Sequence, residues 1–363
     1  MPILWRFLLK NYFQAFCLSL VSFIAAVFVM RFKDIAEFAA MSSDPWSITL
    51  FGLYQLPYIL PLIIPIASVI AATLLFQKLS DYHELHALRA CGFSLRQLLA
   101  PILLGASFLS LVSFIVVGEI GPRSRLWSKQ LTYHVTSSNP FAILNKMTET
   151  KLSNAYMDVG LMRGGKEGKD VLFVFTHPSS KRLSVMTAKK LQLSKDQLIG
   201  ERISIISSAP SSKVEGFDHL VIENEAKMTT KANALSHLFQ DQEWSHKPEY
   251  LPLKTLLIGI SLEEDHPWTN PYTLELVRRC ALALTPVAFS LLGAAFGMQV
   301  GRVPSQKGLM WTILLVIFNL SAFTSAKNLK NMPLATWLCY VIPLSLLVVF
   351  SLRSLTRISQ GET

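Results

Sequence analysis

Two short runs in this chain hold residue types that do chemistry, His83-Glu84-Leu85-His86 and Gly164-Gly-Lys-Glu-Gly-Lys-Asp170. A zinc-binding helix sets its two imidazoles on one face, which would require a histidine at the position of Ala87. No metal site is therefore implied. The glycine run is one residue too short for a phosphate-binding loop, and Asp170 stands where a hydroxyl would hold magnesium, so it reads as a turn. With no nucleophile and base in a plausible pairing, the chain is expected to be no enzyme and to need no cofactor. What remains is charge: Glu84 in a polar loop, and Arg31, Lys33, Arg278, Arg279, Lys327 and Lys330 at the ends of apolar runs.

The elements that must position these charges are set by six stretches of at least 19 residues without Asp, Glu, Lys or Arg, three on each side of a polar insert. A bilayer core of about 30 Å takes about 20 apolar helical residues. The first run lies between Lys10 and Arg31, the second between Asp44 and Lys78, and the third between Arg96 and Glu119. The others run from Arg279 to Arg302, Lys307 to Lys327 and Lys330 to Arg353. With 51% hydrophobic and 16% charged residues, the composition is that of an integral membrane protein. The predicted fold class is α-helical membrane protein, six spans arranged three plus three, with an inserted all-β domain. The expected domains are 1–118, 119–270 and 271–363. The first run is too long for a signal-peptide core and is expected to be retained.

The net charge of +10 would suggest nucleic acid in a soluble protein, but its placement points elsewhere. With both termini inside, Arg6, Lys10, Lys78, Arg89, Arg96, Arg302, Lys307, Arg353 and Arg357 face the cytoplasm, as the positive-inside rule requires. The insert carries 19 basic and 17 acidic residues and falls outside. Lys327 and Lys330 go against the rule. Cys17, Cys91, Cys280 and Cys339 lie in or beside spans, with no disulfide or metal spacing, and are expected as small apolar fillers.

Four local readings follow. In the loop Lys78–Arg96, Ser80 is expected to cap a short helix with Glu84 in its first turn, Leu85, Ala87 and Leu88 as its apolar stripe, and Gly92 as its stop. Such a helix either links two spans at the inner face or docks on a cytoplasmic partner. Pro57, Pro61 and Pro65 repeat every four residues in the second span and predict a bent helix. In the insert, 170–177, 182–188 and 220–226 alternate as strands, with turns at Gly164-Gly165 and Gly168 and a loop at 208–212. Arg278 and Arg279 are spaced to pair with Glu275 on one helix face.

Several segments together resemble the LptF/LptG (YjgP/YjgQ) permeases of the lipopolysaccharide exporter. They are Leu56-Pro-Tyr-Ile-Leu-Pro-Leu-Ile-Ile-Pro65, Glu84-Leu-His-Ala-Leu-Arg-Ala-Cys-Gly92, Thr187-Ala-Lys-Lys190 and Glu275-Leu-Val-Arg-Arg-Cys-Ala-Leu-Ala-Leu-Thr-Pro286. The resemblance spans nearly the whole chain, and Gly121-Pro-Arg-Ser-Arg125 leans toward the LptF branch.

That resemblance implies a non-catalytic subunit of an ABC exporter in the bacterial inner membrane, paired with a second permease above an LptB-like ATPase dimer. It implies that the loop is a coupling helix, with Glu84, Leu85, Leu88, Arg89 and Gly92 serving the ATPase. The insert would be a periplasmic jelly roll passing lipopolysaccharide to LptC- and LptA-like proteins. Arg31 and Lys33, and with them Lys327 and Lys330, would meet the acidic groups of the lipid. The competing reading is a membrane-anchored envelope scaffold without transport. An ion-coupled transporter is disfavoured because no ionisable residue lies in mid-span.

Overall fold

The computed structural model describes residues 2–41, 44–138, 155–163, 167–176, 183–194, 197–209, 219–231, 248–262, 270–298, 306–329 and 332–360. Its helices are α1 (Pro2–Met41), α2 (Pro45–Asp81), α3 (Glu84–Ala90), α4 (Leu95–Ile115), α5 (Gly121–Ser138), α6 (Leu253–Leu262), α7 (Pro271–Gly297), α8 (Gln306–Asn328) and α9 (Pro333–Gln360). A π-helical turn, Val116–Ile120, joins α4 to α5, and a 3-10 turn, Pro248–Tyr250, precedes α6. Six of the helical runs are long and apolar enough to cross a membrane, in the three-plus-three order expected. Between α5 and the 3-10 turn the described residues hold five strands.

The chain divides into two compact units. One comprises Met1–Phe32, Leu53–Leu126 and Ser245–Thr363, and the other Lys33–Gly52 and Trp127–Trp244. Residues 119–126 and 245–270 thus group with the spans, while 33–52 group with the insert.

In the first unit the helices are close-packed through small residues. On α7, Gly293 and Gly297 stand four residues apart and lie against the backbone of α2. A Cβ on Gly293 would sit 2.5 Å from the Val69 carbonyl, and one on Gly297 2.8 Å from that of Thr73. Lipid tails give helices no hydrophobic reason to associate, so such small-residue seams do the packing instead. Polar contacts reinforce them: Tyr12 Oη lies 2.8 Å from Ser290 Oγ in the buried interior, and Ser110 donates to the Ala283 carbonyl at 2.6 Å. Leu8, Tyr12, Phe76, Leu85, Leu98 and Ile102 are among the residues of one buried cluster.

Pro57, Pro61 and Pro65 all lie inside α2, which continues through them as one helix. Each ring removes an N–H from the ladder and frees a carbonyl four residues back. Among these, the Pro57 carbonyl lies beside Gly121, where a Cβ would approach it to 3.7 Å.

In the second unit, β1 (Ala155–Arg163), β2 (Glu167–Thr176), β3 (Leu183–Ser194), β4 (Gln197–Ala209) and β5 (His219–Lys231) form one antiparallel sheet in chain order. The described strands are a meander, so the expected jelly roll is met only as an all-antiparallel β insert. The run 170–177 lies in β2 up to Thr176, 183–188 in β3 and 220–226 in β5, while β1 and β4 were not foreseen. Two turn expectations are corrected. Gly168 is inside β2, opposite Met162 and Leu191, and Ser208 pairs with Leu220 as part of β4. Gly164, Gly165 and 210–212 lie outside the described residues. The same unit holds Phe38 stacked on Phe51, with ring centroids 4.2 Å apart, beside Val135. Asp44 starts α2 by accepting from the Ser47 hydroxyl at 2.7 Å, and that bond holds its carboxyl below the usual range.

Candidate functional site

The loop between α2 and α4 is built from local rules. α2 runs on to Asp81, so Ser80 is buried in its last turn rather than capping the next helix. The helix begins instead after His83, whose φ of 56° places it in the left-handed region. A side chain there costs about 1 to 3 kcal/mol and persists only where its surroundings impose it. The imposition is visible: His83 N donates to the Ser80 carbonyl at 3.0 Å, and Ala87 N donates to the His83 carbonyl at 3.1 Å.

The other end closes as the sequence predicts. Gly92 has a φ of 87°. Its N–H donates to the Arg89 carbonyl at 3.0 Å, and Phe93 N donates to the Leu88 carbonyl at 3.2 Å. These two bonds make a Schellman stop, which needs a residue free of Cβ strain at Gly92. Two residues later Ser94 and Gln97 form a reciprocal capping box that starts α4. That pair is readable as Ser-x-x-Gln and was not anticipated.

A helix of only seven residues is marginal alone. Leu85 anchors it, with 1% exposure in the cluster that also contains Leu8 of α1 and Leu98 of α4. Burying such a side chain stabilises by about 1.5 to 3 kcal/mol. The expected stripe is therefore divided: Leu85 is consumed by the core, Leu88 is half-buried and Ala87 is exposed. Glu84 and His86 are exposed, together with Tyr82 and His83 just before the helix, while Arg89 is half-buried. The free face of α3 thus carries a carboxylate in its first turn and two imidazoles beside it.

At the end of the first unit where the chain leaves for the insert, cations collect around Tyr58 and Glu275. The Arg31 guanidinium carbon lies 5.7 Å from the Tyr58 ring centroid, and that of Arg125 lies 4.1 Å from the same ring. Arg125 also approaches Glu249 at 3.6 Å, and Arg123 pairs with Glu119. Aromatic faces attract guanidinium groups without neutralising them. Ile24, Val27, Phe28, Leu56 and Ile59, with Arg31 and Gln55, line a very small and mostly apolar cavity.

Glu275 takes both neighbouring arginines, as its spacing predicts. Arg278 binds it through Nε at 2.7 Å and Nη2 at 2.5 Å, and Arg279 through Nε at 2.9 Å. Arg279 is fully buried. It also donates to the carbonyls of Gly118 at 3.2 Å, Pro248 at 3.1 Å and Leu251 at 2.8 Å.

The other expected site residues are dispersed. Lys33 is well exposed and forms a loose pair with Glu37 at 4.0 Å on the next turn of α1. Lys327 belongs to α8, and Lys330 lies outside the described residues. Among the cysteines, Cys17, Cys91 and Cys280 are exposed on the chain and Cys339 is half-buried. Tyr58 and Glu249 were missed altogether. Tyr58 had only its place beside Pro57 to mark it, and Glu249 lies 124 positions from Arg125, beyond any local pattern.

No curated protein matches the chain. A family model described as lipopolysaccharide export system permease LptF/LptG matches residues 6–357.

Proposed function

Starting from the fact that the chain belongs to the LptF/LptG family of lipopolysaccharide export permeases, we propose that it is one of two paired membrane subunits of an ATP-driven exporter. It is a multi-pass permease of the inner membrane. The chemistry of ATP hydrolysis belongs to a separate cytoplasmic ATPase of the LptB type, which docks on the free face of α3. The termini and the α3 loop face the cytoplasm, and the β insert faces the periplasm, where it hands lipid to LptC- and LptA-like sheet proteins.

The single observation that carries this reading is the construction of α3. It has a core-anchored body closed by a glycine stop and an exposed face that carries one carboxylate and two imidazoles, the features a short helix needs to receive force without unwinding. A charged pair at a partly desolvated interface sets register, and truncating one partner costs about 2 to 5 kcal/mol. We assign that pairing to Glu84, which is exposed in the first turn of α3.

At the opposite end, Arg31 lines a small, mostly apolar cavity. A cation next to apolar lining matches a lipid that carries phosphate or acid above its acyl chains. The family resemblance assigns the same chemistry to Lys33, Lys327 and Lys330.

Co-reconstitution with a second permease and the ATPase in lipopolysaccharide-loaded vesicles tests the proposal. ATP-dependent transfer of lipopolysaccharide to a soluble acceptor is expected. ATP hydrolysis without any lipid transfer would refute it.

A further inference from the structure

The chain leaves the first unit after Leu126 and re-enters it at Ser245, and both crossings are tied down next to the boundary. Arg125, one residue before the exit, pairs with Glu249, four residues past the re-entry. Arg279 reaches from the third turn of α7 to the re-entering chain at Pro248 and Leu251 and to Gly118 between α4 and α5.

Each of those acceptors sits where the backbone departs from a regular α-helix. A π-helical turn widens the ladder and disturbs the regular bonding of its carbonyls, and Gly118 lies within that turn. Pro248 opens the 3-10 turn and also accepts from Leu251 N at 3.3 Å, and Leu251 follows that turn; such irregular backbone beside the end of a span is tolerated where protein groups satisfy it. A guanidinium has five N–H donors in a fixed fork, so one side chain serves a carboxylate and several carbonyls at once. Glu275 offsets the charge that burial would otherwise penalise.

We propose that Arg279 is a positioning residue for lipid transfer. With the Arg125–Glu249 pair, it fixes the points where the chain leaves and re-enters the first unit to the π-helical turn after α4 and to α7, so that a shift of those spans moves both points together. This rests on the exporter reading, because it assigns the movement to ATP-driven lipid transfer.

Arg279→Lys tests it in the full complex with its partner permease and ATPase, held in lipid nanodiscs. Lysine keeps a charge for Glu275 and cannot span the three carbonyls. A nitroxide at position 254, carried by Lys254→Cys in a background with the native cysteines replaced, reports the motion of the re-entering chain. The label is expected to change from ordered to mobile. ATP hydrolysis is expected to stay within about twofold of the parent while lipid moved per ATP falls about three- to tenfold. An unchanged label, or hydrolysis and transfer falling in equal proportion, would overturn the assignment.

Should Arg279→Lys fail to fold, Arg125→Glu, Glu249→Arg and their combination decide instead. Each single change should mobilise the label and lower the transfer ratio, and the exchange should restore both. An exchange that restores neither overturns the proposal. If the parent complex hydrolyses ATP but moves no lipid, the exporter reading fails, and the label alone still decides whether Arg279 holds the crossings.

Discussion

Gly293 of α7 lies so close to the Val69 carbonyl of α2 that a single added carbon would stand 2.5 Å from that oxygen. The obstacle is backbone inside a helix and cannot swing aside. Gly293→Ala is therefore expected to lower the detergent-solubilised protein's melting temperature, with a loss of about 1 to 3 kcal/mol from overpacking. Gly293→Leu should prevent a monodisperse preparation. Unchanged melting for the alanine variant would mean that the α2–α7 seam is looser than described.

Glu84 is exposed and makes no contribution to the core, so Glu84→Arg should leave insertion and melting unchanged. Its effect belongs to the interface. Loss of ATPase binding by about 2 to 5 kcal/mol is expected, read as loss of co-purification and of ATP-driven lipid transfer. Retention of both would remove Glu84 from the docking face.

Leu85 makes the opposite prediction although it is the adjacent residue. Leu85→Ala opens a cavity in the cluster shared with Leu8 and Leu98 and should destabilise by about 2 to 5 kcal/mol. Melting temperature and ATPase coupling should fall together. A variant that loses coupling with unchanged melting would place Leu85 on the partner instead.

Gly92→Val puts a β-branched side chain at a φ of 87°, where only glycine is free of strain, and should cost at least about 1 kcal/mol. The damage should be local. Hydrogen exchange is expected to rise at Leu88–Phe93 while α4, started independently by Ser94 and Gln97, keeps its protection. Exchange that spreads through α4 would show that the two caps act as one.

Arg31→Glu should weaken binding of an anionic lipid to the purified chain, whereas Tyr58→Leu, which removes the aromatic face, should weaken it by about 0.5 to 2 kcal/mol. Native mass spectrometry with lipids of increasing phosphate number gives the comparison. Equal retention of charged and neutral lipids by both variants and the parent would exclude this cluster as a headgroup site.

The spans were legible because bilayer thickness fixes their length, and a run without charge is hard to hide. The Glu275–Arg278–Arg279 triad was legible because helix geometry brings residues three and four apart together. Gly92 announced itself in the same way, since few residues other than glycine end a helix in the left-handed region. Ser80 misled because capping propensity is local, whereas the length of α2 is settled by how far its buried face continues, and Leu79 still packs into the core. The Gly293–Gly297 seam was present in the sequence but hidden inside a run that reads simply as apolar. Arg125 with Glu249, and Arg279 with Pro248, depend on a chain that goes out, folds as a sheet and returns, and no spacing rule predicts such meetings.

Leu85 has a mechanical consequence. The side chain that seats α3 contributes to a cluster shared by α1, α2 and α4, so a load applied to the free face of this short helix does not pass only to the two spans it connects. It is distributed at once across a buried cluster to which several spans contribute. With a glycine stop at one end and a sterically forced turn at the other, there is little compliance between the point of application and that cluster. The loop then acts as a gear tooth cut from the body of the wheel rather than as a string tied to it.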